Sequence, residues 1–172
     1  FIIFYIVLLL LRLWNGNFYL VDSYEYLKVA KLIIQGDYFF TDDPIISKRP
    51  FFYPLFLALT FTLNSFVIVF FLLILLFLSF YFFYKTIDFY KIKNEYLLLA
   101  LVLLTPAIFI YSQLVMSELL ILFLIALLFY LYSAHFHWKN IKYAQLIITI
   151  LAFTKPVFYP FVFVNLALML VY

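Results

Sequence analysis

Long apolar runs separated by short polar stretches set the plan of this chain. No charged residue occurs from Phe51 to Tyr84, a run too long for one membrane crossing, which takes ~20 helical residues for ~30 Å of hydrocarbon. Asn64 and Ser65 divide it. The division predicts a short interfacial helix over about Phe51–Leu63, with Pro54 in its first turn, and a full span over about Phe66–Tyr84. The run from Tyr96 to about Tyr132 is also too long, and Pro106, Ser112, Gln113, Ser117 and Glu118 mark a turn between two spans. Tyr143–Tyr172 carries Lys155 and Pro156 at mid-run and splits there into two more. Phe1 to about Trp14, with Arg12 near its end, has the length of a signal-peptide h-region but reads rather as a truncated first span, which Asn15, Gly16 and Asn17 interrupt. The runs are continuously apolar rather than alternating, which selects helices over a β-barrel.

The stretch from Asp22 to Pro54 follows a different rule. Between Asp22 and Gln35 the residues Tyr26, Leu27, Ala30, Ile33 and Ile34 share one helical face, and Lys28, Lys31 and Gln35 lie opposite. That pattern predicts a helix lying in the membrane interface and stopping at Gly36. Asp37–Arg49, rich in aspartate and interrupted by Pro44, reads as a loop.

Composition agrees with the periodicity. The chain is 70% hydrophobic and 11% charged, with mean hydropathy +1.19, whereas a soluble domain is about a quarter charged. The expected fold is all-α: a polytopic integral membrane protein of about six transmembrane helices, with two interfacial helices in the first extracytoplasmic loop. Residues 1–172 form a single domain in this reading, a fragment of a longer chain because apolar runs stand at both ends. The net charge of +3 gives nucleic-acid binding no support, and the absence of cysteine removes disulfides and thiolate metal sites. Two spans separate the basic loop Lys85–Lys93 from the basic loop Lys139–Lys142, so both fall on one side, the cytoplasmic one by the positive-inside rule. Asp22–Pro54, Glu118 and Lys155 then collect on the other.

Each of these polar residues has a plain structural role available. Asp22 with Glu25 three residues on has the spacing of a helix N-cap and capping box. Glu118 follows Ser117 and suits a first-turn acid favoured by the helix dipole. Lys155 can snorkel to the interface, and Lys48 with Arg49 can anchor to lipid headgroups or contact a phosphate. His135 and His137 lie among basic residues on the cytoplasmic side and are assigned no metal role.

Four motifs in order add a resemblance. They are D-x-x-x-Y-L-x-x-A-x-x-I-x-x-G-x-Y over Asp22–Tyr38, R-P-x-x-Y-P-L-F-L-A-L over Arg49–Leu59, Pro106 followed by Ser112 and Ser117-Glu118, and Phe153-Thr154-Lys155-Pro156. Together they resemble the N-terminal part of the GT-C superfamily of polytopic glycosyltransferases. The nearest type is family 39, that of the protein mannosyltransferases and aminoarabinose transferases. The resemblance implies a hexosyltransferase-type enzyme using a polyprenyl-phosphate-linked sugar donor and a lipid, glycan or protein acceptor. It places the active site on the extracytoplasmic side of a bacterial plasma membrane. By similarity Asp22 acts on the acceptor hydroxyl as catalytic base or by orienting it. Arg49 and Lys155, with Tyr26, bind substrate and neutralise the leaving phosphate, and Glu118 holds a divalent metal ion or the donor phosphate. Glu118 stands where many relatives have Asp or an Asp-Glu pair, and Lys48-Arg49-Pro50-Phe51 lacks the second proline that many carry. The alternatives are a transporter or channel subunit, with Glu118 and Lys155 on a translocation path, and a non-catalytic membrane scaffold.

Overall fold

The computed structural model describes residues 20–60, 63–103, 105–112, 114–133 and 138–171, together with Ile3, Ile6, Val7, Leu10 and Leu11. The segment expected to be a first span, with Arg12 and the Asn15–Asn17 break, therefore falls largely outside the described residues, as do Gln113, His135 and His137. Among the described residues the chain is helical with no strand.

Helix α1, Val21–Gln35, buries Ser23, Tyr26, Val29 and Ala30. Lys28, Lys31 and Gln35 are exposed on its other side, as the amphipathic pattern predicts. The start differs from expectation. Leu20, not Asp22, is the N-cap, and Ser23 Oγ accepts the Leu20 N–H at 3.2 Å. The N-cap thus lies two residues earlier than expected and leaves the Asp22 carboxylate free of capping duty. Its end is as predicted. Gly36 sits at φ +80°, the Gly36 N–H donates to Ile33 O at 3.2 Å and the Asp37 N–H to Leu32 O at 3.0 Å, a Schellman closure. A Cβ on Gly36 would meet nothing within 4 Å, so only the backbone conformation resists substitution. Gly36→Ala should lower stability by about 1 kcal/mol, read as a small fall in the melting temperature of detergent-solubilised protein; an unchanged midpoint would contradict the left-handed stop.

The following loop is more ordered than expected, because it contains helix α2, Ile45–Lys48. Asp43 organises it, accepting the Ile45 N–H at 3.1 Å and pairing with Lys28 of α1 at 2.5 Å. The Lys28 hydrogen bond, with that of Ile45, holds the Asp43 carboxyl below its ordinary pKa. Helix α3, Phe52–Ala58, is shorter than the predicted Phe51–Leu63, with Pro54 its third residue. Tyr53 and Leu57 are fully buried, and Tyr53 meets Tyr26 of α1 edge-to-face at 4.8 Å.

Asn64 divides the next apolar run as predicted, its side chain accepting the Phe66 N–H at 2.8 Å and capping α4, Ser65–Phe89. The helix runs past Tyr84, so Lys85 lies inside it and the loop begins only at Tyr90. Phe66–Phe89 is the one helix among the described residues long and apolar enough to cross a membrane. The predicted span from Tyr96 is instead two short helices, α5 (Glu95–Leu103) and α6 (Pro106–Ser112). Pro106 has no N–H to continue the ladder, and the Thr105 hydroxyl donates to Leu101 O at 3.1 Å. Helix α7, Glu118–Ser133, and helix α8, Trp138–Thr154, follow. Lys142 thus sits within a helix rather than in the predicted loop. Pro156–Phe158 forms a single 3-10 turn before α9, Tyr159–Val171, so the break at Lys155-Pro156 falls where the proline predicts it.

Helices α4 and α7 run parallel. Phe82 and Phe83 near the end of α4 meet Tyr130 and Phe129 near the end of α7, and α5 with α6 returns the chain between them. Helix α8 comes back antiparallel to α7. One core joins these helices to α1 and α3: Leu72 and Leu76 of α4, Leu119 and Leu124 of α7, Leu151 of α8, Tyr26 of α1 and Tyr53 of α3. Farther down, a polar chain crosses three helices. The Tyr132 hydroxyl donates to Asn165 Oδ1 at 2.5 Å, and Asn165 Nδ2 donates to Gln145 Oε1 at 2.7 Å.

Candidate active site at one end of the bundle

Arg49 is held in place by its neighbours in sequence. It ends α2 in an extended conformation, φ −114° and ψ 126°, the conformation imposed on a residue before proline. Its side chain thereby reaches α1. There Nη2 donates to Asp22 Oδ1 at 2.5 Å, Nε donates to Glu25 Oε2 at 2.5 Å, and Nη2 also pairs with Glu25. The guanidinium lies over the Tyr26 ring, 5.2 Å from its centroid. Tyr26 is itself buried against Tyr53, so it supports Arg49 from below. Burial works against the Arg49 charge, but the hydrogen bonds and charges of Asp22 and Glu25 outweigh it and hold the pKa above the ordinary arginine value.

A second pair stands at the junction of α7 and α8. Lys155 Nζ donates to Glu118 Oε1 at 2.7 Å. Two facts of the fold produce it: Glu118 opens α7, and Lys155 follows the last residue of the antiparallel α8. Ser117 is fully buried, and neither its Oγ nor Glu118 Oε2 has a hydrogen-bond partner among the described residues.

Both pairs border the same buried cluster, one through Tyr26 and the other through Leu119 and Leu151. Helix α3 packs on α8 and completes the connection. The five residues singled out from the sequence thus resolve into two ion pairs with one aromatic support. Each cation assigned to phosphate already faces a carboxylate, and Arg49 faces two. Glu25 is the residue that sequence reasoning placed only as a helix-cap partner. Its spacing of three from Asp22 puts both carboxylates on one side of α1, and Arg49, the one arginine of that stretch, is the signal that could have joined them.

A divalent cation takes several oxygen ligands. Here Glu118 gives one oxygen to an ammonium group, and no cluster of three histidine, aspartate or glutamate side chains occurs among the described residues. The donor set around Glu118 does not fit a divalent ion. No protein-family model, curated protein or solved structure matches the chain.

Proposed function

We propose that this chain is a polytopic membrane glycosyltransferase of the plasma membrane, moving a sugar from a polyprenyl-phosphate donor to an acceptor hydroxyl on the extracytoplasmic side. Membrane residence is supported by the outward faces. Phe66, Phe70, Ile74, Phe77 and Tyr81 form an exposed stripe along α4, and Phe161, Phe163 and Val164 are exposed on α9. A helix as apolar outside as inside has hydrocarbon for its solvent. Lys85, Lys91 and Lys93 gather at the end of α4 remote from Glu118 and Lys155, which matches the positive-inside rule.

The observation that carries the reaction is the pairing of Asp22 with Arg49 and of Glu118 with Lys155 on the border of one cluster. Asp22 uses Oδ1 for Arg49, and Oδ2 has no bond among the described residues, so a fixed carboxylate presents an open oxygen to an acceptor hydroxyl. Arg49 commits Nε and Nη2; its Nη1 donors remain for a phosphate. In the proposed step the acceptor oxygen bonds to the anomeric carbon as the bond from that carbon to the phosphate oxygen breaks. The electron pair leaves with the polyprenyl phosphate, and the hydroxyl proton passes to Asp22. Arg49 and Lys155 stabilise the charge growing on the leaving group. The transporter alternative has its charged pair, yet Glu118 and Lys155 sit at helix ends rather than at mid-span, where a translocation path places them.

The test is transfer of label from polyprenyl-phosphate hexoses by the purified full-length protein. Labelled acceptor together with free polyprenyl phosphate is the expected result; a folded protein inactive with every such donor would overturn the assignment. Topology is checked separately in this cysteine-free chain. Asp42→Cys should react with an impermeant maleimide on intact cells, and Lys93→Cys only after permeabilisation. Labelling of both from outside contradicts the orientation.

A further inference from the structure

We infer that Ser117 Oγ and Glu118 Oε2 form a subsite for hydroxyl groups of the donor sugar, an inference that rests on the donor reading above. A buried carboxylate oxygen without a partner costs more than an unpaired neutral group, because its desolvation is uncompensated. Both orphan atoms belong to adjacent residues at the head of α7. The first is on a side chain with no exposure, and the second is on a side chain only 20% exposed. The other oxygen of Glu118 is fixed by Lys155 at 2.7 Å, so the carboxylate cannot turn away to satisfy itself.

The chemistry of the neighbours narrows the ligand. A carboxylate repels the phosphate of the donor, and the Lys155 ammonium on the same carboxylate repels a second cation. What remains is a neutral hydrogen-bond donor. Glu118 Oε2 accepts only, whereas a serine hydroxyl both donates and accepts; adjacent sugar hydroxyls match that combination. Lys155 supplies the geometry. It faces the leaving phosphate in the proposed reaction, and the sugar ring is joined directly to that phosphate, so the sugar hydroxyls fall beside the partner of Lys155.

The experiment measures binding of two probes, polyprenyl phosphate and polyprenyl-phosphate hexose, to the full-length protein in detergent. Wild type should prefer the sugar-bearing lipid by about tenfold to a hundredfold, the worth of a hydrogen bond to a charged group. In Glu118→Gln the amide oxygen turns to Lys155 and an N–H₂ group faces the subsite, replacing an acceptor by a donor. The preference should disappear, while affinity for polyprenyl phosphate holds or rises, because the substitution removes a negative charge beside Lys155. Ser117→Ala, a smaller change, should reduce the preference by about threefold to tenfold and decides the matter if Glu118→Gln does not fold. A preference retained in the folded variants, or no preference in wild type, overturns the subsite and leaves water as the occupant of these atoms. Failure of wild type to bind either lipid overturns the donor reading itself, and the subsite with it.

Discussion

Asp22→Asn should lower sugar transfer by about two to four orders of magnitude, the worth of a positioned general base, without unfolding the protein. The structure separates the two effects. Leu20 caps α1 and Ser23 closes its first turn, so asparagine at position 22 disturbs no cap. An asparagine oxygen still accepts the Arg49 hydrogen bond, but the side chain no longer carries the charge or basicity that takes up a proton. Turnover should therefore fall while the melting temperature moves little. Normal transfer by a folded Asp22→Asn variant would remove Asp22 from the chemistry. Glu25→Gln is the companion measurement, because Glu25 shares Arg49 and tests whether the neighbouring carboxylate serves as the base instead.

Lys155→Met should destabilise the fold by more than any substitution of an exposed lysine. Removing one partner of a fully buried ion pair costs about 3–5 kcal/mol, mostly because the remaining charge has no partner. Here the Lys155 side chain is 39% exposed and that of Glu118 20%, so solvent screening reduces the expected loss to about 2 kcal/mol. That is a fall of roughly 4–8 °C in melting temperature for a chain of this size. Adding Glu118→Leu should restore most of the loss, since the pair is then replaced by apolar groups rather than broken. Independent, additive losses in the double-mutant cycle would show that the two side chains do not act as a pair.

The helix breaks that depend on one residue's covalent nature were legible in the sequence. Gly36 stops α1 because only glycine takes a left-handed backbone without cost, Asn64 caps α4, and Pro156 cannot continue α8. Other features depended on contacts that no local pattern encodes. The break at Thr105-Pro106 looked like part of one turn, because the apolar residues on both sides read as a single run. The helix in Ile45–Lys48 was missed because Asp43, which organises it, draws Lys28 from another element. Asp22 followed by Glu25 has the spacing of a cap. Ser23 and Leu20 took that role locally, and Arg49, a residue distant in sequence, claimed both carboxylates. The sequence led to the expectation that these charged residues lie together, but their pairing, Asp22 and Glu25 with Arg49 and Glu118 with Lys155, required the fold.

The polar chain through Tyr132, Asn165 and Gln145 bears on the orientation of the last helix. Among the residues of α9, Tyr159–Val171, Asn165 is the one carboxamide, set among aliphatic and aromatic side chains. An almost uniformly greasy cylinder has little reason to prefer one rotation about its axis. Turning it by one residue, about 100°, would exchange one oily surface for another. Asn165, only 3% exposed, removes that degeneracy, since any other rotation turns its carboxamide away from Tyr132 and Gln145 and leaves its hydrogen bonds to them unmade. The rotation of α9 in turn fixes how the chain leaves Pro156–Phe158, and so the direction from which Lys155 approaches Glu118. A single amide far from the charged end thus acts as an angular reference for it.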